Sequence, residues 1–125
     1  MKKLAVLAIA GLMSVTASAS NWVQVAQSDS TDFYIDTDSL GKSGFYKQAF
    51  IKYANHEVQT VDDIKYDTVV ALHQIDCTNQ PQIRALSILF ILNGETADYN
   101  DIPSKWITAY PDTPSEDITK FICSY

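Results

Sequence analysis

The stretch Thr119–Tyr125, with the sequence TKFICSY, contains Cys123, one of only two cysteines in the chain. The other, Cys77, lies 46 residues earlier in the stretch HQIDCTNQ. In an exported chain, two cysteines point to one intramolecular disulfide. A free catalytic thiol is the alternative, and it would need a basic or histidine neighbour that lowers its pKa; neither local sequence supplies an obvious one. We therefore predict a disulfide between Cys77 and Cys123.

Residues 1–19, with the sequence MKKLAVLAIAGLMSVTASA, have the features of a secretory signal peptide. Two lysines precede an apolar run over Leu4–Met13, and the small residues Ala17–Ala19 form a cleavage site. The run is shorter than the roughly 20 residues that span a bilayer as a helix. We therefore expect no membrane span. No cysteine directly follows the cleavage site, so we expect no lipid anchor either. We predict a cleaved signal peptide, export to the periplasm or cell surface, and one domain over residues 20–125.

The exported part is acidic. Outside residues 1–19, seven Lys and Arg stand against fifteen Asp and Glu, a formal net charge of −8. Such a surface repels phosphate backbones, and there is no basic cluster to offset it. We therefore expect no nucleic-acid partner.

Short alternating segments separated by turn residues indicate an antiparallel sheet. We predict a turn with Gly41 and Gly44 free to take positive φ in TDSLGKSG, and a polar loop over residues 56–65, HEVQTVDDIK. A helix through IRALSILFILNG is the alternative for the last strand, but its β-branched residues and flanking Pro81 and Asn93-Gly94 favour a strand. The predicted strands are NWVQVAQ (21–27), DFYID (32–36), FYKQAFIKYAN (45–55), YDTVVALHQIDC (66–77) and QIRALSILFILN (82–93).

The last two predicted strands are apolar on both faces over residues 69–75 and 86–92. Continuous apolarity of this kind is typical of central strands that are covered on both sides. We expect the C-terminal helix to cover one face, and a partner subunit is our hypothesis for the other.

The stretch YPDTPSEDITKFICSY predicts a C-terminal helix. Thr113 suits the N-cap position, Pro114 the first helical position, and Glu116 completes a capping box. An apolar stripe for packing on the sheet is formed by Ile118, Phe121, Ile122 and Tyr125. A helix this short is marginal alone in water, so we expect the disulfide to dock it.

No constellation of catalytic residues is recognisable. His73 lies in an apolar strand context that is typical of a packed or hydrogen-bonded residue, and we expect His56 to be exposed. The stretch DTDSLG (36–41) resembles the start of a calcium-binding loop, but Leu40 and Lys47 stand where oxygen ligands are needed. We interpret Asp36 and Asp38 as turn formers, and Asp62-Asp63 as a solvated face. We therefore predict no catalytic, cofactor or metal site.

A series of short motifs spans nearly the whole exported part. They are WVQV at residues 22–25, FYID at 33–36, QIDC at 74–77, WITAYP at 106–111, and the capped helix that ends at Cys123. In this order they resemble the bacterial surface-adhesin protein E family. The structural landmarks that carry over are Trp22, Asp36, Cys77, Trp106, Pro111 and Cys123.

The resemblance implies an α+β fold, with an antiparallel sheet of about six strands and a C-terminal helix tied to it. It also implies a non-enzymatic binding module, since the best-known member is a dimeric adhesin for host laminin, vitronectin and plasminogen. Our first hypothesis is an exported adhesin-like module whose ligand-binding residues are unknown from sequence. The alternative is a structural or accessory periplasmic protein that forms a homodimer through its apolar strands.

Overall fold

The computed structural model describes residues 20–125. The predicted signal peptide over residues 1–19 lies outside the described residues. The described part forms eight strands, one short 3₁₀ helix over Thr37–Ser39 and one α-helix. The strands are β1 (Trp22–Gln27), β2 (Thr31–Asp36), β3 (Gly41–Ser43), β4 (Tyr46–Val61), β5 (Ile64–Asp76), β6 (Gln82–Leu92), β7 (Glu95–Asn100) and β8 (Ile107–Thr108), and the helix is α1 (Pro114–Cys123).

All eight strands belong to one antiparallel sheet. Six of them form a continuous path in the order β1-β2-β4-β5-β6-β7, while β3 pairs with β4 and β8 pairs with β6. The expected number of about six strands is therefore too low. The two strands outside the path have only three and two residues, which is too short to show a periodicity of two in the sequence.

One face of the sheet carries the core, and α1 packs against it. Ile118 and Ile122, four residues apart on α1, are almost completely buried. The predicted stripe is confirmed except at Tyr125, which is 66% exposed and follows the end of the helix. The core side chains from the sheet are Phe33, Ile35, Ala49, Ile51, Ile75 and Ile83.

The disulfide between Cys77 and Cys123 is present, with the two Cα atoms 5.7 Å apart. Cys77 directly follows β5 and Cys123 is the last residue of α1. The bond therefore ties the C-terminal end of the helix to the end of a central strand.

A lysine holds the same end of α1 without a covalent bond. The ammonium of Lys47 on β4 donates to backbone oxygens of Ile122 and Cys123, each at 3.4 Å, and of Tyr125 at 2.6 Å. The last carbonyls of a helix have no partners within the helix, and its dipole places negative partial charge there. A cation at this point therefore stabilises α1 in its docked position.

The N-terminal end of α1 differs from the predicted capping box. Pro114 is the first helical residue, as expected, but the Thr113 side chain makes no capping hydrogen bond. Its hydroxyl donates instead to the backbone oxygen of Tyr110 at 2.7 Å, and Glu116 accepts from the backbone N–H of Asp112 at 3.2 Å. The turn before the helix therefore uses the Thr113 and Glu116 side chains that a capping box would need. The sequence pattern alone does not show these contacts.

The predicted polar loop over residues 56–65 is wrong. These residues extend β4 and β5 into a long hairpin that turns at Asp62 and Asp63, both with positive φ, 48° and 66°. The end of β4 from His56 to Val61 is exposed throughout, so no buried face imposes an alternating pattern on its sequence. A two-residue turn with both φ values positive matches the twist of a hairpin.

The stretch 37–44, predicted as a turn, contains the 3₁₀ helix and β3. Gly44 takes a positive φ of 64°, as expected, whereas Gly41 does not. Phe45, the first residue of the strand predicted over residues 45–55, lies before β4 and is fully exposed.

Candidate functional site

The sheet has a second face, opposite α1, which we call the open face. Side chains alternate along a strand, so the neighbours of the core residues Ala49 and Ile51 point to this side. α1 is the only α-helix among residues 20–125, and it lies on the other face. We define the open face by Trp22, Tyr34, Phe50, Lys52, Val70, Leu72, Arg84, Leu89 and Trp106.

Apolar side chains occupy the centre of the open face. The register places Phe50 opposite Leu72, and Val70 opposite Leu89, across three neighbouring strands. Phe50 is 39% exposed, and the other three are partly exposed. Cross-strand pairs of this kind stabilise a sheet by roughly 0.2–1 kcal/mol each. Their remaining exposed surface is the kind of apolar patch that marks interaction sites.

Lys52 forms a cation–π cluster beside this centre. Its ammonium lies 4.7 Å from the ring centroid of Trp22 and 5.0 Å from that of Tyr34. Trp22 lies on the edge strand β1 and Tyr34 on β2; the pairing of β1 with β2, and of β2 with β4, places both rings beside Lys52. The charge of Lys52 and two aromatic rings therefore lie together on this face.

Arg84 forms a second cluster at the other side of the face. Its guanidinium carbon lies 4.7 Å from the ring centroid of Trp106, and its Nε donates to Gln74 at 2.9 Å. Gln74 donates in turn to the hydroxyl of Ser43 at 3.1 Å. The ring of Tyr46 lies 4.9 Å from that of Trp106. Trp, Tyr and Arg are the residues enriched at the energetic centres of protein interfaces.

His73 lies on the core face and is buried. Its Nε2 lies 2.8 Å from the hydroxyl of Tyr53, so it is a packed, hydrogen-bonded residue. Burial lowers the pKa of His73 to about 4, and the backbone of Arg84 opposes this shift. Burial also raises the pKa of the Tyr53 hydroxyl. Both groups are therefore uncharged at neutral pH.

The remaining sequence candidates lie apart from one another. His56 is on the surface with Nε2 3.3 Å from a carboxylate oxygen of Asp32. Asp36 accepts from the backbone N–H groups of Asn21 and Asp38, as a turn former does, while Asp62-Asp63 forms the hairpin turn.

No three or more His, Cys, Asp or Glu side chains among residues 20–125 are arranged to hold a metal ion. None of the helices in this part of the chain has the length and apolarity that crossing a membrane requires.

The geometry defines a class of protein: a small antiparallel sheet with one face covered by a disulfide-tied helix and an aromatic, partly exposed face opposite. The model of the surface-adhesin protein E family matches residues 22–124, and the chain belongs to this family. The resemblance read from the short motifs is thereby confirmed. No curated protein and no solved structure matches the chain.

Sequence reasoning identified Trp22 and Trp106 only as landmarks of the family. It did not identify Lys52 and Arg84 as members of the open face. The aromatic partners of Lys52 lie on β1 and β2, and Trp106, the partner of Arg84, lies directly before β8. The signal that could have found them is their strand parity: both are charged residues on the same side as Phe50 and Leu72.

Proposed function

We propose that this chain is an exported, non-enzymatic binding module that holds a host extracellular-matrix or plasma protein against the open face. Membership of the surface-adhesin protein E family carries the proposal. The family name describes surface adhesins, and the matched residues include every strand of the open face.

The composition of the open face supports a protein partner. Its centre is apolar, and it is flanked by Lys52 stacked on Trp22 and by Arg84 stacked on Trp106. Aromatic rings contribute large contact areas at a low cost in side-chain entropy, because they have few rotatable bonds. The rest of the exported chain is strongly acidic, so the two stacked cations are positive points on a negative surface. Such a charge pattern favours one orientation of a bound partner.

Immobilised laminin and vitronectin provide the test, with the exported chain, residues 20–125, as analyte at physiological salt. We expect saturable binding that falls at least tenfold in the double variant Phe50→Ser, Leu72→Ser, because burial of their apolar surface is lost. Val58→Ser is the matched control, since Val58 is an exposed apolar residue on the far end of β4, outside the open face. Absence of saturable binding to either protein would remove the adhesin function.

A second candidate function is a structural or accessory periplasmic protein that pairs with another copy through the open face. The partly exposed residues Leu72 and Leu89 favour it, because they lie in the two stretches, 69–75 and 86–92, that the sequence predicts to be covered on both sides. Sedimentation velocity at micromolar concentration tests it. A dimer that the Phe50→Ser, Leu72→Ser variant dissociates supports this candidate, and a monomer at all concentrations excludes it.

Export is part of the proposal, because an adhesin requires exposure to the host. Residues 1–19 motivate it through their signal-peptide pattern. Fractionation of cells that carry a tagged copy should find the protein, shortened by about 19 residues, at the cell surface or in the periplasm. A full-length product in the cytoplasm would contradict it.

A further inference from the structure

The two cations of the open face, Lys52 and Arg84, have no acidic partner. Both side chains are partly buried, and neither forms an ion pair with a carboxylate of residues 20–125. The ion pairs in this part of the chain involve His56 and Lys120 instead. The exported part has fifteen acidic residues against seven basic ones, so unpaired cations on one face are a feature that calls for an explanation.

Neutral groups hold both cations in place. The ammonium of Lys52 lies between the rings of Trp22 and Tyr34. The Nε of Arg84 donates to Gln74, which is only 7% exposed and therefore a fixed partner. The terminal nitrogens of Arg84 have no hydrogen-bond partner in the described part of the chain. They offer the parallel N–H groups that match the two oxygens of a carboxylate.

The sheet fixes the spacing of the two cations. Lys52 on β4 pairs with Val70 on β5, and Arg84 on β6 pairs with Gln74, four residues further along β5. Four residues along a strand and two strand spacings across the sheet separate their Cα atoms by roughly 17 Å. Leu72 lies midway between Val70 and Gln74 on β5. The open face therefore presents an apolar centre with a cation on either side.

A partner that covers this apolar centre also removes water from the cations beside it. A charge that loses its water without gaining an opposite charge or a hydrogen-bond acceptor strongly opposes binding. A second copy of the chain would bring the same two cations to the interface. A partner with carboxylates at the matching positions removes the penalty and adds charge-assisted hydrogen bonds.

The negative net charge of the domain does not prevent this pairing. At physiological ionic strength, exposed charges more than about 8 Å apart are largely screened from each other. A carboxylate in contact with Lys52 or Arg84 therefore responds mainly to that cation.

We propose that the partner of the open face presents a segment with carboxylates on both sides of an apolar stretch. The apolar residues of this segment cover Phe50 and Leu72, while one carboxylate pairs with Lys52 and another with Arg84. The inference rests on the proposed function, because it specifies the chemistry of the host-protein surface that the open face holds.

Two blocked peptides are the probes: Glu-Thr-Leu-Thr-Leu-Thr-Glu and the same sequence with glutamine in place of both glutamates. In an extended chain of this length, the end residues lie roughly 20 Å apart, on the same side as the leucines. Each peptide is titrated into the exported chain, residues 20–125, with leucine methyl groups labelled for NMR.

We expect saturable shifts of the Leu72 and Leu89 methyls, with the glutamate peptide binding about fivefold more tightly at low salt, the ratio that two exposed ion pairs give. The preference should disappear at high salt, where the charges are screened. Equal affinities at low salt, or no saturable shift with the glutamate peptide, would overturn the inference.

Variants of the cations assign the preference to them. Lys52→Gln should reduce the fivefold ratio to about twofold, because one ion pair is lost. Arg84→Lys keeps the charge but loses the parallel N–H groups, so it should also reduce the ratio. The matched control is Lys65→Gln, which removes a charge from an exposed residue of β5 beside the hairpin turn, outside the open face. A ratio that is unchanged in Lys52→Gln, or that falls equally in Lys65→Gln, would refute the pairing.

Binding to laminin and vitronectin separates this inference from the proposed function. If either protein binds, and Phe50→Ser, Leu72→Ser weakens binding while Lys52→Gln does not, the adhesin function stands and the inference fails. If neither protein binds but the chain still prefers the glutamate peptide, the adhesin function fails and the carboxylate preference of the open face stands.

Discussion

The hydroxyl of Tyr53 on β4 lies 2.8 Å from Nε2 of His73 on β5. This polar contact joins two central strands within the core beneath α1. The rings are tilted against each other with centroids 5.8 Å apart, and the ring of Phe33 packs edge-on against Tyr53. A titratable imidazole in this position makes the stability of the sheet depend on pH.

The first prediction concerns that pH dependence. The pKa of His73 is lowered from an ordinary value of 6.5 to about 4 in the folded protein, so between these pH values the unfolded chain binds more protons. The free energy of unfolding should therefore fall as pH drops from 6.5 to 4, by up to about 3 kcal/mol, with no further loss from His73 below pH 4. Urea unfolding at pH 7 and pH 4.5 measures it.

The control for this prediction is a histidine that the fold leaves exposed. His73→Gln, whose amide still offers Tyr53 a hydrogen bond, should lose most of the difference between the two pH values. His56→Gln should keep it, because His56 lies on the surface beside Asp32. An unchanged pH dependence in His73→Gln would show that other groups control it.

The disulfide should contribute much of the stability. Closing a loop of 46 residues restricts the unfolded chain by about 4 kcal/mol on the chain-entropy model. The variant Cys77→Ser, Cys123→Ser should therefore unfold at a much lower urea concentration, with amide hydrogen exchange in α1 accelerated more than in β4. A reductant should destabilise the parent chain and leave this variant unaffected. Equal stability of the two proteins would show that the helix docks without the bond.

Lys47 should hold the C-terminal end of α1. Lys47→Met removes three hydrogen bonds to backbone oxygens while it keeps a similar apolar stem, so the free energy of unfolding should fall by about 1 kcal/mol. Lys42→Met is the matched control, because Lys42 lies directly opposite on β3 and is exposed. Chemical denaturation of both variants gives the comparison. A loss as large in Lys42→Met would point to net charge rather than to the contact.

Two of the tight hairpins of the sheet differ in how well their turn residues suit them. Asn93 and Gly94, between β6 and β7, have φ of 51° and 83°, which asparagine and glycine accept readily. Asp63 takes a φ of 66° between β4 and β5, where a side chain is strained. Asp63→Gly should therefore raise the free energy of unfolding by about 1 kcal/mol. Thermal unfolding checks the direction.

The opposite substitution in the other hairpin completes this comparison. No atom lies within 4 Å of a Cβ added at Gly94, so Gly94→Ala tests the backbone alone. It should lower the free energy of unfolding by about 1 kcal/mol. If Gly94→Ala is neutral, strain at positive φ does not limit these turns.

Several features of the fold follow from local sequence. Strands β1, β2, β5 and β6 and helix α1 lie where the patterns of their residues predict them. The Cys77–Cys123 bond follows from the number of cysteines and the predicted export signal, and the family from the order of short motifs.

Other features depend on contacts between distant residues. The last residues of β4, 56–61, carry no periodic signal, since both faces of the strand are exposed there, and strand β8 exists only where it pairs with β6. Lys52 meets Trp22, and Arg84 meets Trp106, through strand register, which is set by the whole sheet. Burial and register are properties of the packed chain. The open face therefore appears only in the tertiary structure. Turns and strand periodicity depend on neighbouring residues, and the cysteine pairing follows from the presence of only two cysteines, so these features can be read from the sequence.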